Sequence, residues 1–277
     1  MYIHTVQEIL NDLNMCIVGR KPFSIIRFGD GGLKFIHAIL TKDKDNLKLI
    51  IEKEGLPEKN VKNVLKLWVK YANQANYIDS PQVYFDDGVF WPRIKNTTRK
   101  PISIKTYRLL AAWKRIYDSI GITNEKYCNP EFNYLCMAKR EHYINLYDVL
   151  KDRKVAFITA CPKAVDFLNT KKLDVDLFKI VKQYDNHYEN SFHKIIKTIK
   201  EKACDYDVWL VSSGELGRIY SGVIKEMGGR TVDMGFMAEV WAGRNLHPRL
   251  KRFINVDPKD RLYLKFQLEG HRYLKYI

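Results

Sequence analysis

Apolar and polar positions along this chain follow two periods, and each period predicts an element. Val6, Ile9, Leu10 and Leu13 fall on one side of a 3.6-residue repeat, which predicts an amphipathic helix over residues 5–18 with Thr5 as its N-cap. Phe23–Phe28 is a short, mostly apolar run that reads as the first strand. It empties into Gly29-Asp30-Gly31-Gly32, and the apolar stretch Leu33–Leu40 predicts a buried helix opening after that glycine loop. Pro57 suits the first turn of a helix running to about residue 75, with Val61, Val64, Leu65, Trp68 and Val69 at helical spacing.

From 76 to 101 the chain carries three prolines, the sequence Asp86-Asp87-Gly88 and several aromatics, a long connection of the kind that serves function. Helices are predicted at 103–119 and 139–150. The pattern then becomes regular: a strand at Lys154–Thr159, a helix opened by Cys161-Pro162, and a helix over 190–202 carrying Phe192, Ile195, Ile196 and Ile199. A strand at Asp207–Val211 follows, then a helix over Glu215–Met227 closed by Gly228-Gly229, and a short strand at Arg230–Asp233. Strands and helices alternating at this spacing predict an α/β fold, a mostly parallel sheet flanked by helices. No repeat, low-complexity tract or linker divides the chain, so the expectation is a single domain, 1–277, with a long basic insertion at about 76–119.

In an open parallel sheet, ligands gather beyond the carboxyl ends of the strands. Four such ends are legible: Gly29-Asp30-Gly31-Gly32, Thr159-Ala160-Cys161, Ser212-Ser213-Gly214 and Asp233-Met234-Gly235. Each joins small residues to a predicted helix start, where unsatisfied N–H groups and the helix dipole favour a phosphate. Ser212-Ser213-Gly214 is the best diphosphate cradle of the four; alternatively Ser213 simply N-caps the helix at Glu215. Arg27 sits inside an apolar strand and needs a partner there, because an unpaired buried charge is costly. Asp30, three residues on, either clamps Arg27 or serves as a metal ligand or base. Asp86 and Asp87 either add carboxylates to the same pocket or form a turn with Gly88.

Composition narrows the choice of partner. The net charge of +15 favours a polyanionic partner or an anionic substrate, and its placement is uneven. Trp91–Arg115 holds eight basic residues and no acid, interleaved with Trp91, Tyr107 and Trp113, a pattern suited to phosphate contacts and stacking on nucleic acid. Segment 244–252 is also acid-free and carries Arg244, Arg249, Lys251 and Arg252. No run of about 18 apolar residues is present, so no membrane span is expected. The first residues lack the pattern of a secretion signal. Five scattered cysteines (Cys16, Cys128, Cys136, Cys161 and Cys204) show neither zinc spacing nor a disulfide framework, which points to a reducing, cytoplasmic setting. No Gly-x-Gly-x-x-Gly, Walker loop, Gly-x-Ser-x-Gly elbow, kinase set or His-x-x-x-His pair occurs. That argues against an ordinary dehydrogenase, a P-loop ATPase, an α/β-hydrolase and a histidine-built metal site.

Ile25-Ile26-Arg27-Phe28-Gly29-Asp30-Gly31-Gly32 resembles the opening motif of the GT-D fold glycosyltransferases, Arg-Phe/Tyr-Gly-Asp-Gly-Glu. The segments from Asp207 to Gly217 and from Gly229 to Trp241 look like that family's closing block. The resemblance touches roughly residues 20–40 and 205–245. It implies a Rossmann-like domain that transfers a sugar, a hexose, from a nucleotide donor, usually UDP-linked, to an acceptor hydroxyl. Arg27, Gly29, Asp30 and Gly31 match the donor-site motif; Ser213, Gly214, Asp233 and Gly235 match the second block. Two positions depart from the family: Gly32 replaces the second acid of its Asp-x-Glu metal motif, and Phe236 replaces a histidine.

A departing diphosphate is neutralised by a metal or by cationic side chains. With Gly32 in place of the acid, a divalent ion (manganese or magnesium, through Asp30) is a weaker expectation than basic residues, for which Arg27, Arg93, Arg218 and Arg244 are candidates. Asp30, Glu215, Asp233 and Glu239 are candidates for the base that activates the acceptor. Arg27, Gly29, Gly31, Gly32, Ser212, Ser213, Gly214, Arg218 and Gly235 are expected to hold the donor. The acceptor is a glycan precursor or a hydroxylated base in DNA, met by segments 91–115 and 244–252. The alternative is a catalytically lapsed GT-D-like module that binds nucleotides or nucleic acid. A nucleotide hydrolase is a third reading, for which the sequence offers no water-activating group.

Overall fold

A computed structural model of the chain describes residues 2–79, 115–128, 132–137, 144–182 and 184–243. The described strands are β1 Tyr2–His4, β2 Phe23–Ile26, β3 Tyr77–Asp79, β4 Lys126–Cys128, β5 Lys154–Thr159, β6 Asp174–Lys179, β7 Val208–Ser212 and β8 Arg230–Asp233. They form one sheet in the order β1-β4-β3-β2-β8-β7-β5-β6, with every described pairing parallel. The expected α/β architecture is therefore present.

The central strands are buried on both faces, as parallel strands must be when helices cover both sides. Phe23 and Ile25 of β2, Val155 and Phe157 of β5, and Val208 and Leu210 of β7 join one apolar core. Their neighbours Ile26, Ala156, Ile158, Trp209 and Val211 join the other. The first core is closed by the helices Val6–Val18, Leu146–Leu150, Pro162–Thr170 and Met237–Trp241. The second is closed by Gly29–Thr41, Val61–Gln74, His193–Lys202 and Gly217–Glu226.

Several expectations are sharpened. Thr5 N-caps the first helix through a capping box with Glu8. Gly29–Gly32 is not a loop before a helix but the helix's own first turn: the Gly32 N–H donates to the Phe28 carbonyl at 2.9 Å. The helix expected to begin at 139 starts at Leu146, because Asn145 is extended and caps it. Residues 138–143, and 103–114 of the other expected helix, lie outside the described residues. The helix Lys44–Glu54 and strands β1, β3, β4 and β6 escaped the sequence reading. Three of those strands are three residues long, too short for a period, and β6 carries Asp174 and Asp176, residues that strands disfavour. Among the described residues, no helix is long and apolar enough to cross a membrane.

Two helices over the second core meet at a glycine. Gly222 lies beneath the Tyr71 ring, so close that a Cβ at 222 would fall inside the ring's van der Waals envelope. Gly222→Ala should therefore destabilise the fold by about 1–3 kcal/mol, against the usual gain from replacing a helical glycine. Urea denaturation measures this, and Tyr71→Leu in the same chain should recover part of the loss.

Candidate functional site

The strand ends define a crevice by their exits. β2 and β7 lead into helices over the second core, whereas β8, lying between them, leads into Met237–Trp241 over the first. Adjacent strands whose exits part to opposite faces leave a gap at their carboxyl ends, which is where ligands bind in such sheets. Of the four sequence-predicted strand ends, three line this gap: those of β2, β8 and β7. Thr159-Ala160-Cys161 ends β5 on the other side of β7, and its exit into Pro162–Thr170 over the first core parts from that of β7 as well.

Carboxylates fix the backbone of the gap. Asp79, at the end of β3, accepts the Phe28 N–H at 2.8 Å. Asp233, at the end of β8, accepts the Arg27 N–H at 3.2 Å through Oδ2 and the Gly235 N–H at 2.9 Å through Oδ1. Gly235 has φ +55°, and a Cβ there would lie 2.5 Å from Arg27 Nη1, so both backbone conformation and the guanidinium demand glycine. The Ser212 hydroxyl donates to the Gly235 carbonyl and ties the end of β7 to that of β8. Asn133 donates to the Met234 carbonyl at 3.1 Å.

Ser213 Oγ and Asn133 Oδ1 have no partner among the described residues. The Ser213 side chain makes no cap hydrogen bond to the helix after it, so the N-cap reading of this hydroxyl does not hold. No described side chain caps the Gly29–Thr41 helix either, so its first N–H groups have no side-chain acceptor among the described residues. The side chain of Asp30 lies outside the described residues, as do Asp86, Asp87, Arg93, Arg244, residues 91–114 and segment 244–252. Glu239 is half-buried in the first turn after β8.

Behind the first turn lies a buried ionic network that the sequence did not announce. Arg218 donates to the Phe28 carbonyl through Nη2. Through Nη1 it donates to the Glu215 carboxylate and, at 3.2 Å, to the Glu215 carbonyl. Its guanidinium stacks on Trp68 at 4.5 Å and on Phe28 at 5.5 Å. The Glu215 N–H donates to Glu54 Oε1 at 3.2 Å. Glu54 Oε2 in turn meets His187 Nδ1 at 3.1 Å, and His187 Nε2 meets the Tyr220 hydroxyl at 3.0 Å. Glu54 is 1% exposed and His187 2%, so both rely on these protein partners rather than on water. Sequence separations of 133 and 161 residues put the Glu54 contacts beyond any local pattern.

Gly32 explains its own identity. A Cβ at 32 would lie 2.6 Å from Arg218 Nη2 and 2.9 Å from Cζ, so no side chain fits while Arg218 keeps its place. The metal implied by the resemblance needs a second acid at this position. Position 32 carries no ligand and borders a permanent cation, so the residues present do not fit that metal site.

Burial raises the Asp233 carboxyl above its ordinary value, with Arg27 and then Arg218 opposing. It raises Glu215 likewise, with Arg218 opposing and Glu54 adding to the rise. Burial also lifts the Tyr117 hydroxyl, which lies near Asp79 and Arg218, and the Cys128 thiol, which lies near Asp79 and Arg27.

Among solved structures, the fold resembles that of a Streptococcus sanguinis protein described as a new glycosyltransferase (DUF1792). The TM-score is 0.52 at 14% identity, over 88% of this chain and 85% of that one. A domain of unknown function 1792, described as highly conserved and as having a distinct glycosyltransferase fold, aligns at TM-score 0.49 and 12% identity over 83% and 78%. At such identities the likeness concerns the fold, and the first of the two carries it. The chain thus has the glycosyltransferase fold that its opening motif resembles. No protein-family model matches the chain, and no curated protein does.

Alanine for a helical glycine usually stabilises by about 0.5–1 kcal/mol. Gly32→Ala should instead lower the melting temperature, and the loss should shrink in an Arg218→Met background; a double-mutant cycle measures the coupling. For the two acids, a folded value above the unfolded one means the folded state binds more protons. Their contribution is full below the ordinary values of 3.8 and 4.5, and is lost as pH rises through the folded values. Urea denaturation at pH 5 and pH 8 should show Asp233→Asn losing less stability than the natural chain on the way to pH 8.

Proposed function

We propose that this chain is a glycosyltransferase that moves a hexose from a nucleotide-sugar donor, a UDP-sugar, to an acceptor hydroxyl. One observation carries the reading: a helix N-terminus that no described side chain caps follows Arg27 at the carboxyl end of β2, in a domain whose fold is that of a described glycosyltransferase. An anionic diphosphate suits such a place, because backbone N–H groups, a dipole and a guanidinium all favour negative charge.

In this reading the diphosphate lies along the first turn Gly29–Gly32, with Ser213, Gly214 and Gly235 at its edge. The acceptor oxygen forms a bond to the anomeric carbon, and the bond from that carbon to the diphosphate oxygen breaks. The electron pair leaves on the diphosphate, and the acceptor proton passes to a carboxylate. Asp233 and Glu215 are poor choices for that base, since their oxygens already hold backbone N–H groups or Arg218. Asp30 and Glu239 are the better candidates. The acceptor is a glycan precursor or a hydroxylated base in DNA; the basic segments 91–115 and 244–252 support an acceptor of anionic character.

The vacancy of an acid at position 32 favours a second reading, a catalytically lapsed nucleotide-binding module. One set of measurements separates them. In a thermal-shift series with UDP-sugars, GDP-sugars and free uridine, the true donor should raise the melting temperature, by mass action worth about 2.7 kcal/mol at 100 times its Kd. Release of the nucleoside diphosphate from that donor supports the transferase. A shift without release supports the lapsed module, and neither shift nor release defeats both.

A further inference from the structure

We propose that Arg218 replaces the divalent cation at this donor site, supplying from within the fold the positive charge that the departing diphosphate requires. The inference rests on the transferase reading above. Where the motif of the resembling family has an acid, this chain has Gly32, and where that side chain would start, this chain has a guanidinium. Loss of the acid and presence of the cation are thus one structural fact: an acid that helps hold a metal is absent, and a cation stands against its position.

Arg218 is suited to the task by its setting. It is 5% exposed, so water screens its charge little. Hydrogen bonds to the Phe28 carbonyl and to Glu215 fix its position, with Trp68 and Phe28 as stacking surfaces. Phe28 is also the residue that precedes the first turn of Gly29–Thr41, so the guanidinium reinforces the positive end of that helix dipole. A preorganised charge of this kind needs no reorganisation as negative charge develops on the leaving group. Its Nε has no partner among the described residues. Glu215 offsets part of the charge, and burial, which raises that acid, limits the offset.

The test uses the full chain freed of metal with EDTA. Release of nucleoside diphosphate from its sugar donor should proceed in EDTA within about twofold of the rate with added manganese. Strict dependence on manganese overturns the inference while leaving the transferase reading intact; no release under either condition overturns both. Arg218→Met should slow release about 100-fold, and Arg218→Lys, which keeps the charge and guards against a variant that fails to fold, should slow it less. Binding separates a charge role from a merely structural one: both variants should weaken UDP but leave uridine within about twofold. Equal weakening of UDP and uridine overturns the proposal.

Discussion

A guanidinium buried against two aromatic rings needs partners for its charge and its donors, and Arg218 organises its neighbourhood by that demand. Glu215 offsets part of its charge, the Phe28 carbonyl takes a second donor, and Trp68 and Phe28 supply the faces. Removing one partner of such a pair leaves an uncompensated buried charge, which costs about 3–5 kcal/mol. The consequence spreads outward. Gly32 must lack a side chain, Glu215 must be held by Glu54, and Glu54 must be met by His187. Through Phe28 the same network reaches the end of β2, so the core behind the crevice and the crevice itself are one connected structure.

The acids of the site act chiefly on backbone. Asp79 and Asp233 hold consecutive N–H groups at Phe28 and Arg27, and Asp233 also holds Gly235. At a strand end the sheet does not satisfy those N–H groups, so side chains from neighbouring strands do it. This arrangement keeps the first turn of Gly29–Thr41 free of a capping side chain and available to an anion.

Legibility in the sequence followed the range of the interactions. The helix Val6–Val18 with its Thr5 cap, the strands around residues 23–28, 154–159, 208–212 and 230–233, and the glycine-rich end of β2 were legible, because period, caps and punctuation act over a few residues. Arg27 stood out for the same reason, a charge inside an apolar run. Asp79, Asn133, Glu54 and His187 did not, since each meets its partner across 51 to 161 residues and sits in no local pattern. The three-residue strands were invisible because pairing with neighbours, rather than their own sequence, makes them strands.

By itself, the sequence determined an alternating α/β chain with glycine-rich strand ends and an acid missing at position 32. Local periodicity and steric punctuation suffice for that. Only the tertiary structure decided why the acid is missing. Position 32 and position 218 belong to helices far apart in the chain, and packing over the same core sets the Arg218 guanidinium against the bare Gly32 backbone. Such an exclusion is a property of two surfaces in contact, and one chain read in order does not contain it.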